Sequence, residues 1–209
     1  MARQARHLLV AFALVLLAGC GAGKDEGISS GGKVIGRTVT VYSLTSDPGC
    51  SGRDFVDGEK LALADARGRA GDLAVNFTSL DLGGADEKLQ ARASRRAISD
   101  PQIIAAVVDA TRVTVPLFNA AGILQVAAGG DPGLAADPQA LPSGKHTVAA
   151  LPAGDAPADL GARFKKAFGR APAPSAADGY RAMQGVLEAI AAAGTAGNDR
   201  TRVVDAYFN

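Results

Sequence analysis

Residues 37–69, RTVTVYSLTSDPGCSGRDFVDGEKLALADARGR, run from a strand through a polar loop into a helix without a break. Thr38 and Thr40 alternate with Val39 and Val41, and Tyr42 continues the run, which is the period of a strand with one buried face. The next ten residues, SLTSDPGCSG, are mostly turn formers. A helix is expected from about residues 52–54, with Phe55, Leu61 and Ala62 inward and Arg67 and Arg69 at its carboxyl end. A strand that passes directly into a helix is half of a βαβ unit, which calls for a parallel sheet with helices on its faces. Ligands of such sheets sit at the carboxyl ends of the strands.

The rest of the chain repeats this alternation. Residues 73–82 (LAVNFTSLDL) alternate as a strand, and 86–98 follow as a helix whose outer face, Arg92, Arg95 and Arg96, reads as solvated. Ile103-Ile104-Ala105-Ala106-Val107-Val108 is apolar throughout, as a strand covered on both faces must be. It is expected at the centre, flanked by the strands at 38–44 and 73–82. Pro116 fits only a first helical turn, so a short helix is expected at 117–121, capped by Thr114 or by Thr111. A strand at 124–127, a Gly/Pro/Asp loop at 128–145, a strand at 146–151 and helices at 157–168, 175–193 and 199–208 complete the pattern. In the long helix Tyr180, Met183, Val186, Leu187 and Ile190 form one core stripe. The expected fold class is α/β, a doubly wound parallel sheet in a single domain over 37–209.

Residues 1–19 read as an address. Arg3 and Arg6 precede an apolar stretch, 8–17, that is too short to span a bilayer. Leu17-Ala18-Gly19-Cys20 matches the bacterial lipoprotein box, which makes Cys20 the expected lipidation site; an ordinary secretory signal is the alternative. Cys50 is then without a disulfide partner and reads as a small hydrophobe. Residues 20–36 are Gly/Ser-rich and read as a flexible linker reaching ~20–24 Å by the random-coil scaling of such chains.

Composition excludes several functions. Of 22 Lys and Arg, Arg3 and Arg6 lie in the address, leaving 20 against 21 acidic residues, so nucleic acid is not an expected partner. Only His146 remains outside the address to serve a catalytic triad, and Gly49-Cys50-Ser51-Gly52 falls one residue short of GxSxG. No metal-ligand spacing is present. The expectation is a protein without enzymatic chemistry, metal or cofactor.

Three segments carry a family resemblance. Asp57-Gly58-Glu59-Lys60-Leu61-Ala62 fits a "DGxxLA" helix after a Ser/Gly/Pro loop. The run DPQIIAAVVDATRVTVPLFNAAGILQV (100–126) and the tail 177–208, with GYRAM, LEAI and DRTRVVDAYF, follow in order. Together they resemble the branched-chain amino-acid-binding proteins, the type I periplasmic receptors of ABC importers. The resemblance implies a doubly wound, periplasmic-binding-protein-like lobe. Of the two lobes such receptors have, only the first is visible here. It also implies that hydroxyls and backbone N–H groups after the third and fourth strands grip the ligand's carboxylate. Those places hold Asp109, Ala110 and Thr111, and residues 127–131 including Gly129, with Thr45 and Ser51 available in the first loop. Asp109 sets a carboxylate against that of a plain amino acid, so weak amino-acid binding is expected. The implied function is a lipid-anchored solute-binding component of an ABC importer on the extracytoplasmic face of the cell membrane. Its partners would be a small polar solute such as an amino acid or amide, an ABC permease, and the membrane through the lipid on Cys20. The alternative is an interaction or scaffold lipoprotein derived from such a receptor.

Overall fold

The structure is a computed structural model and describes residues 32–46 and 50–209, with Cys50 and Ser51 described by their backbone alone. The six strands are β1 (Thr38–Thr45), β2 (Arg69–Ala70), β3 (Leu73–Asp81), β4 (Ile103–Ala110), β5 (Leu124–Gly130) and β6 (Val148–Ala150). They form one sheet in the order β2-β3-β1-β4-β5-β6, parallel except for the β2–β3 pair. The helices are α1 (Cys50–Asp65), α2 (Glu87–Ile98), α3 (Thr114–Ala120), α4 (Leu160–Phe168), α5 (Ser175–Ala192) and α6 (Arg200–Phe208). The doubly wound α/β architecture expected from the alternation is the one observed.

Ile103 to Val108 are fully buried, as their unbroken apolar run requires. Their neighbours need correction. β4 lies between β1 and β5, while β3 is on the far side of β1, paired Thr38 to Ala74 through Thr45 to Asp81. The chain winds outward from β1 to β3 and then crosses back, which strand patterns alone do not reveal. Arg67 and Arg69 also depart from expectation: α1 stops at Asp65, Arg67 takes φ 56° and Gly68 φ 66°, and Arg69 enters β2. The fold begins inside the stretch read as linker. Lys33 bridges to Asp199, and Val34, 1% exposed, donates its N–H to Asn198 O at 2.7 Å. An isolated Val among glycines has a pocket to fill.

One face of the sheet is covered by α1, α4, α5 and α6 around Phe55, Leu61, Phe164, Met183, Ile190 and Val203. The other carries α2 and α3 with Leu44, Ala97, Val108, Phe118 and Ile123. On the first face α1 packs most extensively against α5. A Cβ on Gly58 would come 2.1 Å from Ala176 O, and one on Gly179 would come 2.0 Å from Phe55 O. The two backbones touch, and only glycine permits it. The Asp-Gly pair of the motif therefore serves the packing: Gly58 lets α5 in, while Asp57 helps fix the turn that leads to it. Arg170, just after α4, binds Asp54 and donates to Asp57 Oδ2 at 2.8 Å, and Ala173 N donates to Asp54 Oδ2 at 2.6 Å.

Candidate functional site

The carboxyl edge of the sheet gathers the loops that follow the strands, and three of the expected site residues line up across it. Leu44 pairs with Val108, which sets Thr45 beside Asp109. A register shift between Val108 and Asp109 then puts Gly129, rather than Ala128, opposite Asp109. The shift leaves room for the carboxylate, since a Cβ on Gly129 would lie 3.0 Å from Asp109 Oδ1. Asp109 Oδ2 accepts the backbone N–H of Ser46 at 2.7 Å. The carboxylate thus occupies a loop N–H that would otherwise face an anionic ligand.

Ala110 and Thr111 are committed to the scaffold. Ala110 O accepts from Asp131 N at 2.9 Å, and Gly130 (φ 89°) crosses it so closely that a Cβ would approach Ala110 O to 2.1 Å. Thr111 Oγ1 donates to Gln90 Oε1 at 2.9 Å and accepts from Val113 N at 3.2 Å and Thr114 N at 3.1 Å. Thr111 is therefore the side chain that caps α3. Thr114 Oγ1 donates to Asp109 O at 2.8 Å and accepts from Thr111 N at 2.9 Å. With its donor and both lone pairs engaged, the Thr111 hydroxyl holds the edge together and has nothing left for a solute. The side chain of Ser51 and all of Cys20 lie outside the described residues.

The same economy runs along the whole edge. Asp81 Oδ1 accepts from Gly83 N at 2.8 Å, Asp86 Oδ1 from Lys88 N at 2.8 Å, and Asp131 Oδ1 from Gly133 N at 2.8 Å. With Asp109, four of the chain's own carboxylates cap N–H groups there.

Between the carboxyl ends of β1 and β3 and the first turns of α1 lies an open cleft of about 510 Å³. Thr45 and Ser79 offer hydroxyls, Arg53 and Lys60 cations, Asp57 and Asp81 carboxylates, and Phe168 an apolar wall. Lys60 Nζ stands 3.0 Å from Asp57 Oδ1. Burial pushes the Asp57 carboxyl up, but hydrogen bonds from Arg170 and Lys60 and their charges bring it net below the ordinary carboxylate value. Two cations against two carboxylates suit a solute with no net charge. Of these residues the sequence had pointed to Thr45 alone. Arg53, Asp57 and Lys60 sit one turn apart on α1, which was the available signal; Ser79, Asp81 and Phe168 come from elements that only the tertiary fold brings near.

One further carboxyl stands apart. Glu59 of α1 is fully buried, and neither carboxyl oxygen has a hydrogen-bond partner; the buried Ser43 hydroxyl of β1 is equally unpartnered. Burial pushes Glu59 well above the usual carboxylate range, with Ser43 and Lys60 offsetting it only in part. Its charge on the inward stripe of α1, among Phe55, Leu61 and Ala62, was the sequence signal. Among the described residues no group of three or more His, Cys, Asp or Glu could hold a metal ion, and no helix is long and apolar enough to cross a membrane.

Solved bacterial structures share this architecture. A putative branched-chain amino acid ABC transporter from Rhodospirillum rubrum matches with a TM-score of 0.59 and 13% identity, covering 81% of this chain and 88% of that one. A leucine-binding protein, LivK, from Thermotoga maritima matches at 0.58 and 13%, covering 81% and 87%. No family model matches the chain, and no curated protein does. The likeness is one of fold: the chain has the architecture of a type I periplasmic-binding-protein lobe.

Proposed function

We propose that this chain is a solute-binding component of an ABC importer, taking a small polar solute without net charge, such as an amino acid or amide. The carrying observation is the cleft at the carboxyl ends of β1 and β3, where matched charges and two hydroxyls meet on a fold shared with such receptors. Arg53 and Lys60 would meet a solute's acceptors, Asp81 its donors, and Thr45 and Ser79 either. Asp109 and Gly129, beside Thr45, would border the site, and Asp109 would favour an amide over a free carboxylate. Ser51 and the backbone of Ala110 and Thr111 complete the proposed neighbourhood. The role in this reading is binding. We place the protein on the extracytoplasmic face of the cell membrane, anchored by lipid on Cys20, with residues 20–36 as linker up to Lys33 and an ABC permease as partner.

Titration calorimetry with leucine, valine and a neutral aliphatic amide, on wild type, Asp109→Ser and Lys60→Gln, tests the reading. The amide is expected to bind at least as well as the amino acids. Asp109→Ser should narrow that gap, and Lys60→Gln should weaken all three. Absence of heat with every solute, together with no thermal stabilisation across a wider panel of polar solutes, overturns the reading. Such a result would favour the second one, an interaction lipoprotein, for which the specific support is an edge whose N–H groups are already filled by Asp81, Asp86, Asp109 and Asp131.

A further inference from the structure

The outer face of α2 gathers four cations on one helix. Lys88, Arg92, Arg95 and Arg96 recur at i, i+4, i+7 and i+8 and are all exposed. None of them forms an ion pair among the described residues, whereas Arg37, Arg112, Arg163, Arg170 and Arg181 each have a carboxylate within 4 Å. Leu89, 42% exposed, stands in the same stripe beside a shallow hollow of about 340 Å³ that Leu80, Arg92 and Arg96 also line. Asp81 borders that hollow, and Asp86 and Glu87 open the helix; past its far end Asp100 is engaged by the Tyr42 hydroxyl at 3.0 Å and by Gln102 N at 2.8 Å. Positive charge accumulates at the other end, where Arg95 and Arg96 form the last turn of α2. That end lies at the amino edge of the sheet. The chain also enters there, through Lys33 and Val34 against Asp199 and Asn198.

We propose that the outer face of α2, together with the adjoining amino edge, is a docking surface for an anionic phospholipid leaflet. Unpaired guanidinium groups around one exposed leucine fit phosphate headgroups with a shallow apolar contact beneath them. The chain's charge polarity decides the orientation. The last turn of α2 and the amino edge, which follows the apolar stretch 8–17 in the sequence, would turn toward the leaflet, and the end of α2 opened by Asp86 and Glu87 would turn away. Leu80 and Asp81 border both the hollow and the cleft, but Arg92, Arg95 and Arg96 line no part of the cleft.

The test is co-sedimentation of the full chain with vesicles of phosphatidylcholine alone or containing about 30% phosphatidylglycerol, a usual anionic surface for such work. Comparing the two subtracts any contribution of the apolar amino-terminal stretch. Each cation at such a surface strengthens binding about fivefold. The preference for anionic vesicles should therefore fall at least about tenfold in the triple variant Arg92→Gln/Arg95→Gln/Arg96→Gln. It should vanish at high salt, and it should survive in the matching triple lysine variant. Removing two cations from the opposite face, with Lys165→Gln/Lys166→Gln, should leave it unchanged. An unchanged preference in the glutamine triple overturns the proposal. So does an equal loss in the lysine triple or in the α4 variant, and so does equally strong, equally sensitive binding to duplex DNA.

Discussion

The two faces of the sheet are held by opposite means. Under α1 and α5 the contact is backbone on backbone, at Gly58 and Gly179, with Arg170 drawing Asp54 and Asp57 together at its rim. Above the apolar cluster under α2 and α3, the tie at the rim is instead a chain of side-chain hydrogen bonds, from Gly84 O through Gln90 and Thr111 to Thr114 and Asp109 O. Backbone contact has no slack: an added atom must move a whole helix. Hydrogen-bonded side chains can rearrange, and losing one costs a bond rather than a packing arrangement. The lesson is that the first face sets the integrity of the fold and walls the candidate cleft through α1 and Phe168, while the second ties down the loop after β4.

Gly179→Ala tests the first half of this contrast most severely. Its Cβ would fall 2.0 Å from Phe55 O. We expect a loss of about 3 kcal/mol or more, the top of the overpacking range, although alanine is the better helix former. Urea unfolding measures it; a stability equal to wild type would mean that α1 and α5 do not touch. Arg170→Ala comes next, because it leaves two nearly buried carboxylates without their partner. The expected fall in thermal midpoint is on the order of 5 °C. That loss should shrink as pH falls through the lowered value of Asp57. A loss that does not change with pH across the whole acid range would assign it to packing of the Arg170 stem instead.

The second face should yield more gently. Thr111→Val keeps the shape but removes the cap of α3 and the donor to Gln90, at a cost of about 1 kcal/mol. Should it cost as much as Gly179→Ala, the contrast between the faces fails.

The smallest effect has a distinctive sign. Asp57 and Glu59 are two residues apart on α1 and are displaced in opposite directions, Asp57 down and Glu59 up. A lowered carboxyl contributes stability that is present above the unfolded value and is lost as pH falls below about 4. A raised one does the reverse. Unfolded, Glu59 ionises near pH ~4.3, so stability declines as pH climbs from there toward its raised folded value. Glu59→Gln should therefore be more stabilising at pH 8 than at pH 5. Chemical denaturation at the two pH values decides it; an equal difference at both would show that Glu59 is not held neutral.

How much of this was readable from the sequence follows from the range of each interaction. The strands and helices announce themselves through apolar period, and Thr111 could be named as a cap because capping spans three residues. β2 could not, since two residues have no period, and its existence depends on the turn at Arg67 and Gly68. The position of β3 beyond β1 is likewise a matter of winding. At the candidate site Asp109 was recognisable as a carboxylate in an anion's place. Its partner, the N–H of Ser46, lies 63 residues away and could not be seen. The cleft itself joins α1 to Ser79, Asp81 and Phe168, and no local pattern foretells that meeting.

The embrace of α1 by α5 also orders events in time. Phe55, Leu61 and Ala62 are laid down early in synthesis, yet the helix that covers them is made from residues 175–192, more than a hundred positions later. Contacts that distant in sequence form slowly, because a long loop must close before they bring any gain. Until then the strands and α1 to α4 are present but the apolar flank of α1 is uncovered, and Arg200 has not yet reached Ile103 O to close the amino end of β4. A chain organised in this way stays open until its last helices arrive, and such lateness would suit the export proposed above.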